Sequence, residues 1–260
     1  VSAKNAEKFE MKNVEKVLLS EYAEELVGKT TGDEVKTEVK TVAEVKYVIE
    51  TVNSSAVQKI MKGATKDNIL EKLNHEHLAL TNVVKENAEA YGLEAGRFKN
   101  YTTAKEVSKL VGIINNKEVI LSSSKVEEVK SSLVSYVIDE NLPIINLKDA
   151  QKTDIAELLI AELAKDKDTT IEKNINYLNE KINAVEGVRK ELISKVTNKD
   201  ILISDAVNAL EKISKEFNEL DAAKKLVVAE KFLDARKISN GEVTGLNSFA
   251  DVVALLNSVK

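Results

Sequence analysis

The chain has 260 residues, a formal net charge of -5, 43% hydrophobic residues and 31% charged residues. Cysteine is absent, which excludes disulfides, thiolate metal sites and a cysteine nucleophile. One proline and nine glycines leave too few turns for an all-β fold, and the 4% of aromatic residues leaves Val, Ile, Leu and Ala to form the core.

The first part of the chain predicts amphipathic helices separated by polar turns. Apolar residues recur at steps of three and four, as on one face of a helix, and Val14, Leu18 and Tyr22 illustrate this spacing. The pattern predicts helices over 10–27, 33–52, 53–62 (a short helix or an extension), 68–91, 103–114 and 122–138. Gly92 is expected to end the helix predicted over 68–91.

Pro143 interrupts the helical pattern near the middle of the chain. Proline lacks a backbone N–H and disfavours helical geometry in the residue before it, so the preceding helix should stop here. Beyond it the pattern predicts helices over 148–165, 171–185 (continuing or kinking through 187–195), 204–213, 222–237 and 248–259. A glycine-bearing loop is expected over 239–245.

Four of these helices share a pattern after a polar cap, at Ala43, Val126, Ile171 and Phe249. Alternate members are nearly equally spaced, as expected if a short and a long helix-loop-helix unit were duplicated. The alternative is that any two amphipathic helices look alike. The sequence therefore predicts an all-α fold of tandem helix-loop-helix units forming two helical bundle subdomains, residues 1–142 and 143–260.

Several segments carry a further combination of residues: Ile182-Asn183-Ala184-Val185, Phe217-Asn218-Glu219-Leu220, the run 225–233 with Val228-Ala229-Glu230, and the closing helix 249–259. This combination resembles the helical repeat modules of surface-layer and related cell-surface proteins of Gram-positive bacteria. Such modules commonly carry an Ile-Asn opening, a Tyr-Asn-x-Leu-type entry and a Lys-x-x-Val-Ala helix. The resemblance is best over 182–260, partial over 144–183 and 97–140, and poor before residue 53; Ser108 stands where the module would have Ala.

The resemblance implies a secreted, wall-associated structural or spacer role and transfers no catalytic residue. It places the protein outside the cell, at the cell surface or in the cell wall. The expected partners are flanking domains of the same surface protein or neighbouring surface proteins. The absence of an initial methionine and of a signal peptide's apolar core suggests a mature product or an excised fragment.

The sequence predicts no metal-binding residue and no cofactor. His75 and His77 are the two histidines, and positions two apart on a helix point about 200° from one another, so they are not expected to bind one ion. Asp166, Asp168 and Glu172 lie close together but lack the central glycine of an EF-hand. Helix capping by Asp168 or Thr169 is the expected role of this segment.

No catalytic residue is predicted either. Phosphate loops and a Gly-x-Ser-x-Gly elbow are missing from the sequence. Paired carboxylates such as Glu24 and Glu25 are abundant, and nothing in the sequence ties any pair to a pocket. We therefore expect a protein that is not an enzyme.

Three functions follow as hypotheses. The first is a non-enzymatic structural or spacer segment of a bacterial cell-surface or surface-layer protein. The second is a helical protein-binding adhesin module, and the third is a helical membrane-active toxin component, although stretches such as 158–163 are too short to span a bilayer. Nucleic acid is not an expected partner, because acidic and basic residues are interspersed along the helices.

Overall fold

The computed structural model describes residues 14–27, 41–166 and 170–260, and these ranges are all-α apart from one small hairpin, which confirms the predicted fold class. The helices are α1 Leu19–Val27, α2 Val42–Lys62, α3 Ile69–Leu73, α4 Ala88–Leu93, α5 Ala95–Phe98, α6 Ala104–Ser122, α7 Val126–Asp139, α8 Asp149–Lys165, α9 Ile175–Thr197, α10 Ile203–Ile213, α11 Lys215–Asn218, α12 Ala222–Ala235 and α13 Phe249–Val259. The strands are β1 Lys237–Ser239 and β2 Glu242–Thr244.

The chain divides into two compact units, Val1–Asn115 and Asn116–Lys260, with the boundary inside α6. The sequence placed the division at residue 142 instead. Pro143 opens a 3-10 turn over 143–146, and the helices on either side of it, α7 and α8, pack against each other within the second unit. Proline therefore ends a helix here, as predicted, but the chain on both sides of it shares one unit.

The start of the first unit is held by packing between α1 and α2. Leu18, Tyr22, Ile49 and Val52 form its buried core. The Tyr22 hydroxyl accepts the N–H of Glu15 at 3.0 Å and donates to the side-chain oxygen of Asn53. The helix predicted over 10–27 begins later than expected, after a 3-10 turn over 16–18, and residues 10–13 lie outside the described ranges.

Helix α2 is one continuous helix over the segment that the sequence divided at residue 52. It begins at a capping box: the Thr41 hydroxyl accepts the N–H of Glu44 at 3.2 Å, and the Glu44 carboxylate accepts the N–H of Thr41 at 2.8 Å. The predicted start over 33–40 lies outside the described residues. The segment 53–62 is therefore an extension of the second helix.

The prediction of one long helix over 68–91 is wrong. The chain forms α3, two 3-10 turns over 76–78 and 85–87, and then α4. Asn74 ends α3 because its side-chain amide donates to the carbonyl of Leu70 at 2.8 Å, and Ala79 then adopts a positive φ of 45°. Gly92 is the last residue but one of α4, which ends at Leu93, so the glycine lies inside the helix and does not follow it.

In the second unit, helices pack in a closed succession. Helices α7, α8, α9, α10, α12 and α13 each contact the next, and α13 contacts α8 again. The buried cluster at the C-terminal end is Leu192, Val196, Ala209, Leu210, Ile213, Phe217, Ala229, Phe232, Leu246, Phe249, Val252 and Leu256. Helix α9 starts at Ile175, four residues later than predicted, because the Asn174 side chain caps it, and it runs through Gly187 without interruption.

The loop predicted over 239–245 is a β-hairpin. Strands β1 and β2 pair antiparallel, with Ile238 opposite Val243. Asn240 and Gly241 both have positive φ, 54° and 82°, as the type I′ turn of a two-residue hairpin requires. The Asn-Gly pair is the sequence signal for this turn.

Candidate functional site

A groove of about 570 Å³ lies in the first unit, between α1, α2 and the segment 71–77. We call it the α1 groove. Its apolar lining comes from Leu18, Val52, Ala56 and Ile60. Volumes of this size are ordinary for ligand-binding sites.

Charged side chains surround this apolar lining. Helix α1 contributes three exposed carboxylates, Glu21, Glu24 and Glu25, whose spacing of three and four residues puts them on one side of the helix. The remaining charged lining residues are Lys59 of α2 and Glu71 and Lys72 of α3. The groove thus has four carboxylates against two ammonium groups, and α1 supplies carboxylates alone.

The carboxylates of the α1 groove are available to an external cation. Within the described residues, neither Glu24 nor Glu25 forms an ion pair. The Glu21 carboxylate accepts the Ser20 hydroxyl at 2.8 Å and interacts electrostatically with His77 and Lys59. This hydrogen bond holds the pKa of Glu21 below its usual value. Nearby Glu15 differs, because its partial burial raises the pKa of its carboxyl.

The two histidines lie together at the α1 groove, contrary to the helical geometry assumed from the sequence. They sit around a 3-10 turn, where their rings stack with centroids 4.9 Å apart and His75 Nδ1 accepts the N–H of His77 at 3.4 Å. His77 Nδ1 is buried and has no hydrogen-bond partner among the described residues. Across the described ranges, no group of three or more His, Asp or Glu side chains is arranged to hold a metal ion.

Sequence reasoning named Glu24 and Glu25 only as an arbitrary carboxylate pair. The acidic face of α1 was visible in the spacing of Glu21, Glu24 and Glu25. The opposing residues from α2 and from 71–77 meet this face only through tertiary packing, and the break of the predicted helix after Leu73 is what brings the histidines there. Periodicity alone carries no signal for that break.

A second set of charged side chains is buried in the second unit, where it joins α8, α9 and α13. Both carboxylate oxygens of Asp154 accept the N–H of Phe249 at 3.1 Å. Arg189 donates to the Glu186 carboxylate at 2.7 and 3.2 Å and to the carbonyl of Asn247 at 3.4 Å. Burial raises the pKa of Asp154 to about 6, although the Phe249 N–H and Arg189 oppose this shift.

Arg236 is another buried charge, and its partners are backbone carbonyls. Its guanidinium donates to the carbonyls of Val196 at 2.9 Å and Asn198 at 2.8 Å, at the C-terminal end of α9, and to Leu233 of its own helix at 3.1 Å. Burial lowers the pKa of this guanidinium. A cation at this end of a helix satisfies carbonyls that have no intrahelical partner.

Asp166, the first of the three acids that suggested a calcium loop, has other partners. It accepts the Tyr177 hydroxyl at 2.6 Å and lies 3.4 Å from the ammonium of Lys181. Burial and the neighbouring Asp166 raise the pKa of Tyr177. Asp168 lies outside the described residues, and Asn174 is the residue that caps α9.

An apolar groove of about 400 Å³ lies beside α12. Its lining consists of Leu220, Ala223, Lys224, Val227, Val228 and Lys260. Lys224 pairs with Asp221 and Lys260 pairs with Glu216, so both of its cations are already neutralised.

No protein-family model, curated protein or solved structure matches this chain. In the part of the chain that the structure describes, no helix combines the length and the apolar character needed to cross a bilayer.

Proposed function

We propose that this chain is a non-enzymatic structural or spacer segment of a bacterial cell-surface protein. The supporting observation is the use of its buried charges in the second unit. Asp154 accepts the first N–H of α13, and Arg236 donates to carbonyls at the C-terminal end of α9. Arg189 donates to Glu186 of its own helix and to the carbonyl of Asn247, two residues before α13. Buried charges that bond to backbone groups rigidify the packing of the helices, as we expect of a spacer segment.

The resemblance to surface-layer repeat modules supports the same role. It is best over 182–260, the part of the chain that contains Arg189, Arg236 and the helix end held by Asp154. The proposed location is the cell surface or the cell wall. The proposed partners are flanking domains or neighbouring surface proteins.

Surface labelling of intact cells tests this proposal. A membrane-impermeant amine-reactive biotin reagent should label the native full-length protein, since many of its lysines are exposed. A cytoplasmic protein of the same cells serves as the control and should stay unlabelled. Labelling of the native protein only after lysis would contradict the proposal.

A helical protein-binding module is a second candidate, and the α1 groove favours it. An apolar lining beside carboxylates that lack ion-pair partners in the described ranges is the arrangement found where a partner supplies the missing cations. Binding and spacing are compatible in one chain. The two candidates are tested by different experiments.

A further inference from the structure

We propose that the α1 groove binds a short amphipathic segment of a protein partner that carries lysine or arginine beside apolar side chains. This proposal rests on the second candidate function and names the partner's chemistry. Two observations carry it: the apolar lining of the groove and the sign of the charge on its α1 side.

The apolar lining sets the first requirement on the partner. Leu18, Val52, Ala56 and Ile60 come from two elements that pack on each other, so the groove is built by the same packing that forms the local core. A volume of about 570 Å³ accommodates a few apolar side chains but no large domain surface. Burial of such side chains would supply the main favourable term of binding.

The charges set the second requirement. Glu24 and Glu25 are exposed and form no ion pair with any described residue, and the Ser20 hydroxyl donates to Glu21 and lowers the pKa of its carboxyl. Because α1 contributes three carboxylates and no cation, it attracts ammonium or guanidinium groups. The same carboxylates repel the phosphates of nucleic acid and of anionic lipid, which leaves a cationic peptide segment as the fitting occupant.

The basic residues of the α1 groove define where the partner's cations are placed. Lys59 and Lys72 belong to α2 and α3, so a bound segment would direct its cations toward α1. Charges at the rim of an interface set specificity and the association rate more than total affinity. We therefore expect a salt-sensitive complex in which the apolar contacts are essential.

A set of three synthetic peptides tests the proposal on the full chain. The first is a dye-labelled amphipathic peptide of leucine and lysine, with leucine at helical spacing. The second replaces every lysine with glutamate, and the third replaces every leucine with serine. By fluorescence anisotropy, we expect the leucine–lysine peptide to bind and the other two to bind at least about tenfold more weakly.

Substitutions in the chain test whether the leucine–lysine peptide binds in the α1 groove. Glu24→Gln with Glu25→Gln should weaken binding of the leucine–lysine peptide about three- to tenfold, since two rim charges are lost. Glu230→Gln with Glu242→Gln removes two exposed charges in the second unit and is the matched control, expected to bind like the unaltered chain. Ser55→Arg places a long cation in the groove and should abolish binding, with the helical circular dichroism unchanged.

The proposal is overturned if the leucine–lysine peptide does not bind, if the leucine–glutamate peptide binds equally well, or if the Glu24/Glu25 and Ser55 variants bind like the control. None of these outcomes bears on surface labelling, so the structural role is tested separately.

Discussion

At the scale of single residues, Asp154 shows what a buried carboxylate does in this molecule. Asp154 lies on α8, and its carboxylate accepts the N–H of Phe249, the first residue of α13. This N–H has no partner within α13, so Asp154 satisfies it. The site is only 2% exposed, which costs the charged form its hydration. The groups that face it are Arg189 of α9, Glu157 of α8 and Asp251 of α13.

The pKa of Asp154 predicts a pH dependence of stability. The folded pKa is about 6 and the ordinary value is 3.8, so the folded state holds this proton more tightly than the unfolded state. The contribution of Asp154 to stability is therefore greatest below the ordinary value and falls by about 3 kcal/mol as pH rises through about 6. Asp154→Asn should remove this fall, measured as the difference in urea-unfolding free energy from the unaltered chain.

The control for this experiment is Asp200→Asn, because Asp200 is exposed. It should leave the pH profile unchanged. A carbon-13 NMR titration of the Asp154 carboxyl gives its pKa directly. A titration midpoint near the ordinary value, or an unchanged profile in Asp154→Asn, would contradict the argument.

At the scale of elements, helix positions followed from the sequence wherever a cap or an apolar stripe decided them. Helices α8, α10 and α13 begin and end within two residues of the prediction. At α13 the predicted polar cap is present, because the Ser248 hydroxyl accepts the N–H of Asp251. The prediction of one helix over 68–91 was wrong because two side chains bind backbone groups of this segment. The Asn74 amide donates to a helix carbonyl, and the Tyr91 hydroxyl accepts the N–H of Val84 in the loop before α4. Those are tertiary and side-chain effects that periodicity does not contain.

The candidate site could likewise be predicted only in part from the sequence. One side of the α1 groove, the acidic face of α1, could be read from the spacing of three glutamates. The rest could not, since Lys59, Lys72 and the histidines reach the groove through packing of elements distant in sequence. Asp154 and Arg236 were missed for the same reason, because their partners lie on other helices.

Glycines at two helix positions should respond in opposite directions to alanine. A Cβ at Gly92 would lie 2.7 Å from Lys66 Cγ, 3.1 Å from its carbonyl oxygen and 3.2 Å from its Cα, so the Lys66 backbone would have to move. We expect Gly92→Ala to destabilise the first unit by about 1–3 kcal/mol. A Cβ at Gly187 would meet no described residue outside its own helix within 4 Å, so Gly187→Ala should stabilise α9 by about 0.5–1 kcal/mol.

Thermal and urea unfolding followed by circular dichroism measures both glycine variants. Each is the control for the other, because both make the same chemical change within a helix. A Gly92→Ala midpoint that rises as the Gly187→Ala midpoint does would show that the contact with Lys66 does not constrain the site.

At the scale of the whole molecule, the sequence and the structure divide the chain at different residues. Sequence repetition placed a second copy at 143–260, whereas the compact unit is Asn116–Lys260 and includes α7. The helices that share the repeat pattern are present under either division of the chain. What differs is which helices bury each other, and a short repeat pattern does not specify that.

Two fragments distinguish these divisions. Fragment 102–260 keeps all of α6 and the second unit, and fragment 143–260 lacks both α6 and α7. Val129, Leu133, Tyr136 and Val137 of α7 are buried, and the Tyr136 hydroxyl donates to the Asn179 side chain at 2.7 Å. At about 1.5–3 kcal/mol for each buried side chain, their loss removes about 6–12 kcal/mol of stabilisation. This is comparable with the stability of a typical domain, about 5–15 kcal/mol.

We therefore expect fragment 102–260 to unfold cooperatively in urea and fragment 143–260 to show no cooperative transition. Circular dichroism measures the transition, and amide dispersion in a proton–nitrogen NMR spectrum provides an independent measure of packing. Adding a separate peptide of residues 124–142 should partly restore the structure of the shorter fragment, since that peptide supplies the missing buried face. Cooperative unfolding of fragment 143–260 alone would instead support an independent second copy after Pro143, and the unit boundary inside α6 would then not mark a folding unit.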